Sequence, residues 1–297
     1  MLNSSCLRFS RVESKRVHEE FPCPHCSVKL TKGRLQRLYE ARFDPAINEQ
    51  VRAPKRRPML INYSEGGNKY EKEPTAGDLA LVDRILAVPL PAEVPVHKLP
   101  YMHMTHERAH MDAAGVTHVH HFFLPRQAQV MTFAWRKTTS IKDSRLRNML
   151  RWFLDHAIWG MSILNRYKPI QYGRPGGSQV NNYLDGVYYV PAQIVECSPW
   201  YNLAPRAKRL PEAFSADSAR LRGVVVDTGT CSQLSIPDDS VDYIFTDPPF
   251  GENKYYADLN YLVESWHGVL TDADPEAIVD RAKKIDCGIP ESDARVP

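Results

Sequence analysis

Residues 222–251, RGVVVDTGTCSQLSIPDDSVDYIFTDPPFG, decide the fold that we expect for this chain. The stretch contains two short apolar runs, at 222–229 and 242–247, and the turn-forming sequence SIPDDSV lies between them. Runs of β-branched and aromatic residues of this length predict buried strands. Short strands that alternate with helices indicate an open, largely parallel sheet of the α/β class. The next segment, 255–270, predicts such a helix, with apolar residues on one face at Tyr256, Leu259, Val263 and Trp266.

The end of the second predicted strand carries a chemically informative sequence. Asp247 stands where the strand ends, and in open α/β sheets ligands bind beyond the carboxyl ends of the strands. Pro248 and Pro249 have no backbone donor and stiffen the chain, so the carbonyl groups stay free to accept hydrogen bonds. The Asp247 carboxylate and the Pro248 carbonyl can together accept both hydrogens of an amino group, while Phe250 offers a flat face for a base. The alternative is that the two prolines only stiffen the end of the strand and that the motif has no catalytic role.

The motif IFTDPPF at 244–250 resembles the catalytic motif of DNA methyltransferases that modify N6 of adenine or N4 of cytosine. The wider block 235–266 is similar to a large bacterial DNA methylase family, and this block is the most specific part of the resemblance. Upstream stretches are similar to the same family, so the resemblance spans about 20 to 285. They are FPCPHCSVKLTKGRLQRLYE (21–40), GVTHVHHFFLPRQ (115–127), GGSQVNN (176–182) and VYYVPAQIVECSPW (187–200).

This resemblance implies a site-specific DNA methyltransferase that uses S-adenosyl-L-methionine as its methyl donor, with adenine N6 favoured. Asp247, Pro248, Pro249 and Phe250 would form the catalytic motif. The target base would be flipped out of the duplex, because a paired base hides its amino group. Further substrate contacts are expected at Gly251, Asn253 and Tyr256, at the lip of the pocket.

The chain also departs from the family pattern. The glycine-rich loop that cradles the methionine end of the cofactor has no counterpart here, so no cofactor-binding residue is assigned. Gln233 stands where relatives commonly carry an acid. We therefore expect a truncated chain with a partial sheet, or one piece of a split enzyme whose second chain supplies the cofactor-binding segment.

Composition excludes a membrane-spanning protein and favours a cytoplasmic one. Of the 297 residues, 43% are hydrophobic and 25% are charged, as in ordinary globular proteins. No apolar run approaches the ~20 residues that a membrane helix needs, and the first residues show no export signal.

Basic residues are concentrated in two regions, although the net charge is only +3. A local excess of bases suits a nucleic acid such as DNA, but a solvated face explains either region taken alone equally well. The first region runs from Arg126 to Arg174, and the second comprises Arg206, Lys208, Arg209, Arg220 and Arg222.

Cys23 and Cys26 have the CxxC spacing at which two thiolates reach one zinc ion. A structural zinc site needs four ligands, and the other candidates nearby are His18, His25 and Cys6. We predict a small zinc-knuckle-like turn with Cys23 and Cys26 as metal ligands, and a turn that folds without metal is the alternative. His103, His106 and His110 also share a helical spacing, which we interpret as chance.

Two segments in the middle of the chain bear on nucleic-acid binding. Residues 144–167 carry the apolar stripe of a long amphipathic helix, bordered by Arg145, Arg147 and Arg151. Residues 172–191 contain glycines without a GxGxxG pattern, and they predict a turn that leads into a strand at 186–191. We expect Arg174, Gln179 and Asn181 of this segment to contact a nucleic acid.

The predicted fold is α/β, with a partial Rossmann-like methyltransferase sheet at the C-terminal end and a mixed α+β region before it. We divide the chain into a zinc-knuckle-like segment (1–35), a mixed, largely helical DNA-recognition region (36–170) and a partial catalytic domain (171–297). Two other functions stay open. One is a non-catalytic nucleic-acid-binding remnant of such an enzyme, and the other is an RNA methyltransferase.

Overall fold

The computed structural model describes residues 20–23, 26–31, 36–167, 181–184, 186–217, 223–226, 229, 233–247 and 255–272. Within these ranges the protein consists of a helical core with small antiparallel hairpins attached to it. The helices are α1 (Ala76–Leu86), α2 (Pro125–Thr139), α3 (Ser144–Met161), α4 (Pro199–Asp217) and α5 (Tyr256–His267). A π-helical turn, His103–Arg108, and a 3-10 turn, Val119–Phe122, connect α1 to α2.

The strands form four two-stranded antiparallel sheets. Three are hairpins between strands that follow one another closely in the chain, and the fourth pairs two-residue strands. The strands are β1 (Glu20–Pro22) with β2 (Lys29–Thr31), β3 (Tyr39–Asp44) with β4 (Glu49–Pro54), β5 (Ile61–Glu65) with β6 (Asn68–Lys72), and β7 (Arg166–Tyr167) with β8 (Asn181–Asn182).

The core lies where α2, α3 and α5 meet the turns that precede α2. Met131, Ile158 and Leu262 contribute one side chain from each of these helices and are fully buried. Trp266 on α5 packs its ring 5.7 Å from the rings of Phe123 and Trp135, in the offset or edge arrangements that aromatic pairs prefer. Burial of this apolar surface is the main source of stability that the fold offers.

Local signals explain where the helices begin and end. Thr75 and Asp78 form a reciprocal capping box at the start of α1, and Asp143 caps α3 by accepting from the Leu146 amide at 2.8 Å. Gly268 ends α5 in the left-handed conformation, with φ 70°, which glycine adopts without strain. Residues 144–167 were predicted to contain a long helix, and α3 confirms it.

The β3–β4 hairpin is fastened to the core along one side. Tyr39 donates a hydrogen bond to the Ala113 carbonyl, and Asp44 at the end of β3 contacts His120 and His121. At Gly115, φ is +77° and a Cβ atom would lie 2.9 Å from the Arg52 carbonyl oxygen on β4. Only glycine fits this close approach.

Three predicted strands do not form in the described part of the chain. Residues 223–226 and 242–247 lie outside any strand and are exposed, with Val225 at 89% and Phe245 at 81% exposure. Among the described residues no neighbouring strand pairs with them, and strands are not stable in isolation. Residues 186–190 are also irregular, although Tyr188 and Val190 are buried and Tyr189 is exposed. The Rossmann-like sheet stays a prediction, and the turn at 238–239 is confirmed.

The helix predicted at 255–270 is confirmed as α5, and of the four residues predicted to face the core only Tyr256 does not. Leu262 and Trp266 are buried, whereas Tyr256 is 45% exposed. The helix buries Asp258 instead of Tyr256 because that carboxylate accepts a backbone hydrogen bond. Helix α4 was not predicted, since Pro205 and Pro211 lie inside it and proline disfavours helix interiors.

None of the helices in the described ranges is long and apolar enough to cross a membrane.

The cysteines offer a direct check of this packing. Cys197 is buried, and burial raises the pKa of its thiol to about 12, whereas Cys26 is exposed. The thiolate is the reactive form, so we expect a maleimide at pH 8 to label Cys197 on the order of 100-fold more slowly than Cys26. Peptide mass spectrometry of timed samples measures both rates. Equal rates in the folded protein would contradict the packing of residues 194–199.

Candidate active site and nucleic-acid interface

The described part of the predicted catalytic motif ends at Asp247, whose side chain is exposed. The preceding turn is shaped by Asp239, which adopts a φ of 55°, and by Ser240, whose hydroxyl donates to the Pro237 carbonyl at 2.6 Å. Five of the other predicted residues of the motif and its lip lie outside the described residues. These are Pro248, Pro249, Phe250, Gly251 and Asn253.

Helix α5, which follows the motif in the chain, is held firmly by the core. Asp258 is buried at 4% exposure and accepts from the Met104 amide at 2.6 Å. The Tyr188 hydroxyl donates to the Asp258 carbonyl at 2.5 Å, and the Tyr261 hydroxyl donates to the Lys98 carbonyl at 2.8 Å. Buried polar groups that are fully hydrogen-bonded fix one arrangement of a helix. Helix α5 is therefore held in one position on the core.

Aromatic and polar side chains meet at the N-terminus of α5. Tyr255 is buried and stacks on His103 with ring centroids 4.4 Å apart. Nδ1 of His103 lies 2.6 Å from Oε2 of Glu107 in the π-helical turn. Tyr256 is the exposed neighbour, so this predicted lip residue faces solvent. Of the other two histidines at this spacing, His106 stacks on Tyr101 with ring centroids 4.8 Å apart, and His110 adopts a φ of 47°.

The first basic region is largely engaged in internal contacts. Arg126 makes a two-point contact with Glu196, and Arg136 pairs with Glu93. On α3, Arg147 donates to the Ile141 carbonyl at 3.0 Å, and Arg151 lies 5.5 Å over the ring of Trp135. Arg145 is exposed on the same helix. The predicted basic shoulder of α3 is thus mostly structural.

The second basic region presents its cations to solvent. Arg206, Lys208 and Arg209 are exposed along α4, and Trp200 at the start of the same helix is 76% exposed. Helix α4 packs closely on α3, where a Cβ atom at Gly160 would clash with Oδ1 of Asn202. An exposed aromatic ring and several exposed cations on one helix suit the bases and the phosphates of a nucleic acid. Arg220 and Arg222 lie outside the described residues.

The other predicted contacts are only partly described. Arg174 and Gln179 lie outside the described residues, and the backbone of Asn181 pairs with Tyr167 in the β7–β8 sheet. Cys23 and Cys26 lie on either side of the β1–β2 turn, with Cys23 buried and Cys26 exposed. The remaining zinc candidates, His18, His25 and Cys6, are not described, so the zinc knuckle stays a prediction.

Sequence reasoning missed a buried cluster formed by Asp44, His120 and His121. Nε2 of each histidine lies 2.8 Å from Oδ2 of Asp44, and the exposure of the three side chains is at most 7%. Burial alone would raise the pKa of Asp44, but hydrogen bonds from both histidines outweigh it and lower that pKa to about 2. Burial lowers the pKa of His121 to about 4, so its imidazole is neutral at physiological pH.

The residues of this cluster can be seen in the sequence, but they lie in two segments that are far apart. The sequence THVHH at 117–121 shows three histidines at close spacing, whereas Asp44 lies more than 70 residues earlier. Only the docking of the β3–β4 hairpin brings the carboxylate to them. Among the described residues, this is the one group of three metal-ligating side chains close enough to share an ion.

No family model, curated protein or solved structure matches the chain.

Proposed function

We propose that this protein transfers a methyl group from S-adenosyl-L-methionine to the exocyclic amino group of a base flipped out of DNA, with adenine N6 favoured. The observation that carries the proposal is the sequence Asp247-Pro-Pro-Phe250, whose acid is exposed and whose following helix is anchored in the core. An exposed carboxylate stays available to a substrate. We place this activity in the cytoplasm.

The roles of the motif residues follow from hydrogen-bond chemistry. The carboxylate of Asp247 and the carbonyl of Pro248 accept the two amino hydrogens and hold the nitrogen with its lone pair out of ring conjugation. Phe250 stacks on the base and keeps it out of the duplex. When bound, S-adenosyl-L-methionine would supply the methyl group: its sulfonium S–C bond would break as the N–C bond forms, S-adenosyl-L-homocysteine would leave, and one amino proton would pass to solvent. Tyr256 stands exposed next to this segment and is suited to line the lip.

Exposed cations on α4 support a nucleic-acid substrate. Arg206, Lys208 and Arg209 have no described ion-pair partner of the kind that neutralises Arg126 and Arg136. When exposed cations bind the phosphates of a nucleic acid, they displace the counterions condensed there. This release of counterions drives binding. DNA is therefore the proposed partner, and a single-stranded or RNA target shares the same electrostatic requirement.

Alanine at Arg206, Lys208 and Arg209 together is expected to weaken DNA binding and to flatten its salt dependence. The slope of log affinity against log salt should fall by up to about 2.7, about 0.9 for each phosphate that the variant no longer neutralises. Fluorescence anisotropy at several salt concentrations measures the slope. Alanine at Lys29, Arg57 and Lys69, which are exposed bases on the N-terminal hairpins and nearby loop, is the matched control. If both triple variants showed the same slope of log affinity against log salt, α4 would not be part of the DNA-binding surface.

A second candidate function is nucleic-acid binding without catalysis. The exposure of Val225 and Phe245 favours it, because these side chains belong inside the sheet of a working methyltransferase. The same exposure fits one subunit of a split enzyme, in which a second chain covers these residues and supplies the cofactor-binding segment. The binding-only function requires that Asp247→Ala leave DNA affinity unchanged and that no methyl group be transferred.

Calorimetric titration of the purified chain with S-adenosyl-L-methionine separates these functions, because it needs no knowledge of the DNA target. Micromolar binding supports the enzyme, and methyl transfer to duplex DNA, single-stranded DNA and tRNA then identifies the substrate. Absence of both binding and transfer contradicts an active isolated chain. In that case, capture of a second chain that restores binding identifies the split enzyme.

A further inference from the structure

The Asp44, His120 and His121 cluster carries an inference that does not depend on methyl transfer. We propose that these three side chains bind a divalent transition-metal ion of the zinc class, which fastens the β3–β4 hairpin to the helical core. The cluster joins the last residue of β3 to the 3-10 turn before α2, two elements that are separated by more than 70 residues. An ion at this point would cross-link parts of the fold that are distant in sequence.

The geometry is close to that of a metal site. The ligand atoms of the three residues lie within 4.8 Å of one another, and both Nε2···Oδ2 distances are 2.8 Å. Zinc binds nitrogen and oxygen at about 2.0–2.2 Å, so tetrahedral neighbours are roughly 3.4 Å apart. The histidines need to move away from Asp44 by only about half an ångström. Small rotations of the side chains achieve this without moving a strand or a helix.

The chemistry of the ligand atoms selects the class of ion. Two imidazoles and one carboxylate suit zinc, iron, cobalt or nickel, whereas magnesium and calcium prefer oxygen ligands alone. His118 is buried beside the cluster, with its ring centroid 5.4 Å from that of His121, but its Nδ1 atom already faces the Thr117 hydroxyl at 2.9 Å. We therefore assign three protein ligands, with water at the fourth position.

The buried Nδ1 atom of His120 bears on how this cluster can accept a metal ion. Nδ1 of His120 has no hydrogen-bond partner within the described part of the chain, and the side chain is only 3% exposed. In the metal-free state each imidazole donates its Nε2 proton to Asp44, which leaves Nδ1 of His120 as an unused buried acceptor. This nitrogen is therefore available to take up the proton that zinc displaces from Nε2 of the same ring.

Metal binding has to displace the Nε2 protons of both histidines, and this requirement limits the affinity of the site for the ion. Zinc takes the Nε2 lone pairs, so the protons move to Nδ1 of each ring. At His121 the Thr117 hydroxyl, 3.3 Å from Nδ1, accepts that proton, whereas the Thr117 amide, at 3.2 Å, loses its acceptor. The site competes with an existing hydrogen-bond network and has three protein ligands. We therefore expect roughly micromolar affinity, weaker than that of a four-ligand structural zinc site.

The test uses the full chain with Cys23→Ser and Cys26→Ser, so that these thiolates do not take up metal. After treatment with a chelator, Zn²⁺ is added while calorimetry and thermal unfolding are followed. We expect one equivalent to bind and to raise the melting temperature. Asp44→Asn and His121→Gln should each weaken binding on the order of 100-fold or more, beyond the usual effect of residues that only orient ligands. His103→Gln, which alters a half-buried histidine outside the cluster, should leave it unchanged.

A measurement on the unsubstituted cluster guards against variants that do not fold. Co²⁺ replaces zinc as the probe, and its visible absorption reports coordination by nitrogen and oxygen. Long-range ¹H–¹⁵N spectra report whether the protons of His120 and His121 move from Nε2 to Nδ1 when Zn²⁺ binds. A four-coordinate Co²⁺ spectrum and moved protons support the site. Protons that stay on Nε2 at saturating Zn²⁺, or binding unaffected by Asp44→Asn, would overturn it.

Discussion

Replacement of Asp247 by alanine is expected to lower the rate of methyl transfer by about 100-fold or more. The reason is that the target nitrogen would lose one of its two acceptors, and misplacement of a reacting atom by about 1 Å already costs this much. The exposed side chain makes few packing contacts, so the free energy of unfolding should change by no more than about 0.5 kcal/mol. Transfer of a labelled methyl group to DNA measures the rate, and thermal unfolding measures the stability.

Asp242→Ala is the matched control for this experiment. Asp242 is an exposed acid in the same stretch of chain, and it has no role in the proposed mechanism. Its variant should methylate DNA at the rate of the parent protein. Equal losses in both variants would mean that the negative charge of the segment matters in general, and that Asp247 does not hold the amino group.

Leu262→Ala is expected to cause a large loss of stability, because Leu262 is fully buried in the core at the centre of α5. Truncation of a buried leucine removes apolar packing and leaves a cavity, which costs about 2–5 kcal/mol. Denaturant unfolding followed by circular dichroism measures the change. Since α5 begins a few residues after the catalytic motif, methyl transfer should also decline at temperatures where the variant begins to unfold.

Leu270→Ala serves as the control for this substitution. Leu270 lies just beyond the end of α5 and is 42% exposed, so its truncation should change the free energy of unfolding by no more than about 0.5 kcal/mol. If the Leu262→Ala variant were as stable as the parent protein, α5 would not dock on the core as described. The anchored position of the chain after the motif would then lose its support.

Helices were the part of the fold that the sequence predicted well. The apolar stripe at 144–167 gave α3, and the stripe at 255–270 gave α5, because amphipathic periodicity reflects which face meets a core. On α5, Leu259, Val263 and Trp266 pack on the core as predicted, and only Tyr256 is exposed. Asp258 is buried there instead, through a hydrogen bond that no apolar pattern reveals. Helix α4 was not predicted, because it contains two prolines and proline disfavours helix interiors.

The strands and the metal cluster show where local patterns stop being sufficient. Residues 223–226 have high β-propensity, yet a strand also needs a hydrogen-bonded neighbour, and the described residues provide none. Asp44 and His120 are far apart in sequence, so their contact depends on how a hairpin docks. The catalytic motif could be proposed from sequence alone because its residues, Asp247 and the prolines that follow it, are adjacent in the chain.

The most direct test of the central proposal is methyl transfer from labelled S-adenosyl-L-methionine to unmethylated DNA, with the modified base identified by mass spectrometry. The proposal predicts N6-methyladenine, or N4-methylcytosine, in DNA treated with the parent protein and with Asp242→Ala, but not with Asp247→Ala. Methylated bases that appear equally with Asp247→Ala, or a methyl group found only on RNA, would contradict it.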